Sequence, residues 1–253
     1  KPLKEILSKI KREDFVVKFE EAYGELRFLG KDTIEVHTLP RGTYTVIVEF
    51  KGKEVARRTL DLSAVNVGTV SADIPLALRD VSLQVVDLQN KPLMGVTISI
   101  SPEYYAEAPA ADTGGLITIR GIVTTEIYTF EISWTSPYYR TKASVVISDT
   151  PDGLAARKTV ELPVGTVIVS VVDRKGEPIA GAIVKFGPVE AKTDADGKAY
   201  FEQVPLEEAG DGKAAGKGIS YDVSVIREGY TVVSESQTVS RSKTTITVIG
   251  ELF

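Results

Sequence analysis

Apolar and polar residues alternate in short runs along most of this chain. Tyr44, Val46 and Val48 keep one phase of a period-two pattern, as do Tyr128, Phe130, Ile132 and Trp134, and again Tyr221, Val223 and Val225. Such alternation predicts strands with one face in a core and one in water. Turn-forming residues interrupt the runs every roughly 8–12 positions, the spacing of a β-sandwich. One stretch departs from this. Leu3, Ile6, Leu7 and Ile10 form a stripe at helical spacing, predicting a short amphipathic helix over residues 1–12. So short a helix is marginal alone and must pack on something, either its own first domain or, as the end of a stalk, a coiled-coil partner.

The alternating runs are repeated. Val81–Ile100 reads VSLQVVDLQNKPLMGVTISI and Val167–Phe186 reads VIVSVVDRKGEPIAGAIVKF. Asp87 and Asp173, Pro92 and Pro178, and Gly95 and Gly181 all lie 86 positions apart (173 − 87). A period of that length is a whole domain, longer than a solenoid unit. Downstream, Asp112-Thr113-Gly114-Gly115-Leu116 and Asp194-Ala195-Asp196-Gly197-Lys198 mark a second tight turn in each copy. Pro137-Tyr138 and Gly229-Tyr230 then turn the chain into a closing strand. The N-terminal part shares only the second half of this plan, through Tyr44–Val48, the turn Lys51-Gly52-Lys53 and a run through Leu60 and Leu62. It reads as a degenerate third copy.

The expected organisation is therefore all-β: a short helix at 1–12, a degenerate β-sandwich at 13–78, and β-sandwiches at 79–163 and 164–253. The junctions Ile74-Pro75-Leu76 and Leu162-Pro163-Val164 leave no room for a flexible tether, so neighbouring domains are expected to stack as a semi-rigid rod. Glu207–Gly218, EEAGDGKAAGKG, reads as a surface loop. The closing stretch Thr244–Phe253, TTITVIGELF, either completes its own domain or pairs with a neighbour, the first being the default.

VVDRKGEPIAGAIVKF, then TDADGKAYF, then REGY resembles the carboxypeptidase regulatory-like or transthyretin-like sandwich, and is similar to the B-type repeats of bacterial surface adhesins. The resemblance covers Val164–Phe253 and, more loosely, Arg79–Pro163. It implies tandem Ig-like, seven-stranded, non-catalytic modules serving as spacers, stalks or lattice components of exported proteins. Adhesin repeats often carry a Lys–Asn isopeptide crosslink. Here the first strands, VSLQVVD and VIVSVVD, contain no Lys and the closing strands no Asn.

Composition narrows the chemistry. With no Cys, disulfides, thiol nucleophiles and thiolate metal sites are excluded. A net charge of −5 and a pI near 5.2 argue against nucleic acid and anionic membrane as partners. No apolar run is long enough to span a bilayer, and Lys1–Arg12 lacks the apolar centre of a signal peptide. Only Asn66, Asn90 and Met94 represent two heat-labile residue types, a composition that leans toward a thermophile.

Candidate chemical groups are few. His37, the single imidazole, lies in Ile34–Thr38 on the side opposite Ile34 and Val36, with no G-x-S-x-G turn to partner it, and reads as a solvated strand residue. Asp194 and Asp196 begin like a calcium loop, but position twelve from Asp194 is Pro205, where a bidentate Glu belongs. They are weak calcium candidates against the reading of an ordinary tight turn, as is Asp149-Thr150-Pro151-Asp152-Gly153. Tyr104, Tyr105, Tyr138 and Tyr139 could form a contact patch for sugar or protein. Trp134 continues its strand's inward alternation and reads as core.

No catalytic residue, cofactor site or established metal site is expected. The chain reads as a structural module of an extracellular cell-surface assembly, an S-layer, stalk or filament component, whose partners are copies of itself or other surface proteins. The alternative is an accessory region of a larger secreted enzyme or receptor that binds polysaccharide or protein through the tyrosine-rich middle domain.

Overall fold

The period-two runs are strands. The computed structural model describes residues 14–20, 25–28, 34–37, 39–65, 68–102, 111–124, 126–149, 157–207, 217–230 and 233–250. No α-helix occurs among these residues. The helix expected over 1–12 lies outside them. The chain divides into two compact units, one of residues 1–81, 119–127 and 150–156, the other of residues 82–118, 128–149 and 157–253.

The first unit carries β1 (Phe15–Phe19), β2 (Glu25–Phe28), β3 (Ile34–His37), β4 (Thr43–Phe50) and β5 (Lys53–Asp61). β4 is central between antiparallel β1 and β5, and β2 pairs with β3 as a separate hairpin. Tyr44, Val46, Val48 and Phe50 are buried from β4. Phe15 and Phe50 meet at 4.8 Å between ring centroids. Lys51 and Gly52 both have left-handed backbones (φ 49° and 80°), the paired geometry that lets two residues close a right-twisted hairpin.

The next six strands are β6 (Leu78–Val86), β7 (Thr97–Ser101), β8 (Leu116–Val123), β9 (Tyr128–Thr135), β10 (Lys142–Asp149) and β11 (Arg157–Glu161). They form sheets ordered β11-β6-β8 and β10-β9-β7. The last seven are β12 (Val164–Val172), β13 (Ile183–Phe186), β14 (Val189–Lys192), β15 (Lys198–Pro205), β16 (Ile219–Ile226), β17 (Val233–Val239) and β18 (Thr245–Ile249), in sheets β15-β12-β18 and β14-β13-β16-β17. The topologies match strand for strand, with β14 added in the last copy. In each, the first strand is central and the closing strand runs parallel to it; in the last copy its other neighbour, β15, is antiparallel. Of the Thr244–Phe253 stretch, Thr245–Ile249 thus completes its own sandwich as β18, and residues 251–253 lie outside the described residues.

Val167, Val169, Val171, Phe201, Ile246 and Val248 from one sheet and Val184, Phe186, Tyr221, Val223 and Val225 from the other share one buried core. Leu83, Val85, Ile117 and Val160 play the same part opposite Ile98, Phe130, Ile132, Trp134 and Ala143 in the preceding copy. Each large side chain so buried stabilises its sandwich by about 1.5–3 kcal/mol. The protein is all-β, built of tandem β-sandwiches.

Candidate functional site

The turns flagged by their acidic residues are one device used four times. Asp194 Oδ1 accepts the N–H groups of Asp196 and Lys198, both at 2.9 Å. Asp173 accepts from Lys175 and Glu177, Asp87 from Gln89 and Lys91, and Asp112 from Gly114 and Leu116, all at 2.8–2.9 Å. Each carboxylate satisfies the two amides that a tight turn leaves without strand partners. The residue three places after each Asp is left-handed: Asn90, Gly115, Gly176 and Gly197. At Gly115 and Gly197 the backbone requires glycine for a second reason. A Cβ there would stand 2.7 Å from Val85 O or 2.6 Å from Val171 O, because this turn lies directly against the first strand. The Asp194 oxygen is thus already engaged, and among the described residues no group of three or more His, Asp or Glu is placed to hold a metal.

Trp134 is buried and donates its indole N–H to Met94 O at 2.8 Å. His37 lies opposite Glu25 in the β2–β3 register. Tyr104, Tyr105 and the Thr150–Gly153 turn lie outside the described residues. Tyr138 and Tyr139, adjacent in sequence, point to different environments: Tyr138 is 60% exposed and Tyr139 only 7%.

Tyr139 leads to the most elaborate arrangement in the molecule. It sits in the loop between β9 and β10, yet its ring lies in the core of the following sandwich. It meets Phe186 at 5.9 Å and Tyr221 at 5.6 Å between centroids, edge to face in both cases. Such pairs contribute about 0.5–1.5 kcal/mol each beyond the area they bury. Its N–H donates to Ser136 Oγ at 3.2 Å, and Ser136, itself buried, reaches Gln203 O at 3.4 Å. Tyr221 donates its hydroxyl to Pro205 O at 2.9 Å. Burial pushes the Tyr221 phenol up to about 12, with a hydrogen bond from Thr141 acting the other way. Burial also drives the Tyr139 phenol well above the ordinary tyrosine range, with the neighbouring Tyr221 adding to it.

The connector is as tight as its sequence implies. Leu162 donates to Val86 O at 2.9 Å, extending the parallel β11–β6 pairing, and Val164 already begins β12. Val164 O in turn accepts from Leu88 N–H at 2.9 Å, and the Leu88 side chain packs against the last sandwich's core. A Cβ at Gly165 would lie 3.1 Å from Leu206 and 3.4 Å from the Gln89 amide, so the loop after β6 closes down on the start of β12. Arg241, between β17 and β18, spans the same junction: Nε bonds buried Glu207 at 3.0 Å and Nη1 bonds Glu161 of β11 at 3.3 Å. Lys91 and Glu202 add an exposed pair at 3.4 Å.

Sequence reasoning placed the junction at Leu162-Pro163-Val164 but missed Leu88, Ser136, Arg241, Glu161 and Glu207. One signal was available. The 86-residue offset sets Leu88 against Arg174, so the earlier copy has an apolar residue where a solvated turn has none. Nothing in the spacing tied Arg241 to Glu161.

No family model matches the chain, and no curated protein matches it. Solved structures do. A streptococcal ancillary pilin is 18% identical, with a TM-score of 0.35, over 91% of this chain and 80% of that one. The Bacillus anthracis TIE protein is 15% identical, TM-score 0.32, over 94% of this chain and 51% of that one. The shaft pilin SpaA from Lactobacillus rhamnosus GG is 14% identical, TM-score 0.30, over 70% and 98%. All three likenesses are remote in sequence and in superposition.

Proposed function

We propose that this chain is a non-catalytic structural module of an extracellular cell-surface assembly, an S-layer, stalk or filament component, acting through domain packing and subunit contacts. In this reading the chain is organised as sandwiches at 13–78, 79–163 and 164–253 of the carboxypeptidase regulatory-like type, and its partners are copies of itself or other surface proteins. One observation carries the reading: Tyr139 of one sandwich is a core residue of the next. A tether that only joins two binding modules needs no such insertion, whereas an element that transmits force or holds a spacing needs a joint that does not bend. The parallel closing strands β11 and β18 support the same reading, since each ties the end of its sandwich to the beginning. The reading does not lean on the remote likeness to pilins.

Brief protease treatment of intact source cells, followed by mass spectrometry of what is released, tests the placement. Release of peptides from this chain without lysis is the expected result. Recovery of the chain only after lysis would overturn an extracellular role.

A further inference from the structure

We propose that the outer face of the β15-β12-β18 sheet is where two copies of this chain associate, face to face about a twofold axis. The proposal deepens the subunit-contact part of the structural reading by naming the surface and the partner.

The face is built from every second residue of three strands. Ile168, Ser170 and Val172 lie along the middle, Thr245, Thr247 and Ile249 along one edge, and Lys198, Tyr200 and Glu202 along the other. In register, Ile168 stands between Tyr200 and Thr245, Ser170 between Lys198 and Thr247, and Val172 beside Ile249. Tyr200 is 50% exposed and Ile249 55%. Apolar and hydroxyl-bearing side chains thus fill a sheet face that carries only two charges.

The chain holds its own control. The equivalent face of the preceding sandwich carries Ser82 and Gln84 on β6 beside Arg157, Thr159 and Glu161 on β11, with Arg157 bonded to Gln84 at 2.5 Å. Where that copy has Ser82, Arg157 and Glu161, the last copy has Ile168, Thr245 and Ile249. The opposite sheet of the last sandwich carries more charge on its outer face, with Lys185, Glu190, Lys192 and Asp222 beside one exposed apolar pair, Ile183 and Ile226. The same fold therefore tolerates polar or charged residues at the positions of Ile168, Thr245 and Ile249, and the apolar character of Ile168 and Ile249 is not required by the core beneath them. Apolar surface gathered on one face of a sheet marks a contact surface.

The two charges identify the occupant. Lys198 and Glu202 flank Tyr200 two residues away on either side of the same strand, each roughly 7 Å along it. A twofold axis crossing the strands through the Tyr200–Ile168–Thr245 row reverses strand direction. It places Tyr200 on Tyr200 of the second copy and each Lys198 over a Glu202. The Lys198–Tyr200–Glu202 run is self-complementary about this axis, as an isologous contact requires, while Val172 and Ile249 lie outside the paired rows. Glu202 also reaches its own Lys91 at 3.4 Å, an exposed pair that leaves the carboxylate at the surface.

Sedimentation equilibrium of the full chain from about 1 μM to about 500 μM, where small interfaces associate, is the test. The expected result is a reversible dimer that Tyr200→Ser abolishes. Lys198→Glu alone weakens it by roughly tenfold or more, and Lys198→Glu with Glu202→Lys recovers most of the loss, as for a close charge pair. All three sites are on the surface, so the monomer's melting point should stay within about 2 °C of the wild type. A chain that stays monomeric throughout overturns the proposal. So does a dimer indifferent to Tyr200→Ser, or a double swap that recovers nothing. The Tyr139 joint is intramolecular and independent of concentration, so the dimer can fail while the structural reading stands, and the reverse.

Discussion

Tyr139 and Tyr221 meet edge to face, 5.6 Å between ring centroids and 73° between planes, although one belongs to the loop between β9 and β10 and the other to β16 of the next sandwich. The contact places a residue of one sandwich in the core of the next. Replacing Tyr139 with alanine removes the shared ring and leaves a cavity beside Phe186, at a cost of about 3–5 kcal/mol. In calorimetry residues 82–253 are expected to melt as one transition in the wild type and as two in Tyr139→Ala. Tyr139→Phe, which keeps the ring, should retain the single transition.

The buried phenols give the joint a pH dependence at its alkaline end. Burial pushes the folded Tyr221 phenol up to about 12, against about 10 when unfolded. The folded state therefore holds its proton more tightly, so the contribution is complete below pH 10 and lost as pH rises toward 12. Denaturant midpoints measured from pH 8 to pH 12 should fall over that window. Tyr221→Phe should start lower, having lost its bond to Pro205 O, but fall less steeply. Equal slopes would contradict the assignment.

Arg241 holds Glu207, a carboxylate almost entirely out of water, and reaches across to Glu161. Arg241→Met leaves the buried charge without its guanidinium and is expected to cost about 2–4 kcal/mol. Glu161→Gln touches only the exposed arm and should cost less than about 1 kcal/mol. Chemical denaturation of the two variants distinguishes them.

The paired turns behave alike. Gly197→Ala places a methyl against Val171 O at a left-handed φ of 70° and should destabilise by about 2–4 kcal/mol. Gly115→Ala should do the same in the preceding sandwich, against Val85 O. Asp194→Ala removes two charge-assisted bonds to backbone amides and should cost about 2–3 kcal/mol. Because those amides already occupy the Asp194 oxygen, millimolar calcium should leave the wild-type melting point unmoved. A rise would point to Asp194 and Asp196 as ligands.

The fold was largely legible because strands and tight turns are local. Alternation at Tyr128–Trp134 or Tyr221–Val225 states which side faces the core, and Asp-x-x-Gly states where the chain must reverse. The joint was not, because it is made by residues far apart. Tyr139 looks in sequence like half of an exposed Tyr138-Tyr139 patch, yet Tyr138 is exposed and Tyr139 lies in a neighbouring core. Arg241 and Glu161 are 80 residues apart and meet because two sandwiches are stacked. Sequence spacing carries the period of a strand, not the packing of one domain on another.

The central claim is that the second and third sandwiches form one rigid body. Residual dipolar couplings of backbone amides in the weakly aligned protein measure this directly. One alignment tensor should fit the couplings of residues 82–118, 128–149 and 157–161 together with those of residues 164–250, and Tyr139→Ala should split it into two of unequal magnitude. Two unequal tensors in the wild type would contradict the claim and reduce Tyr139 to a contact that the joint does not need.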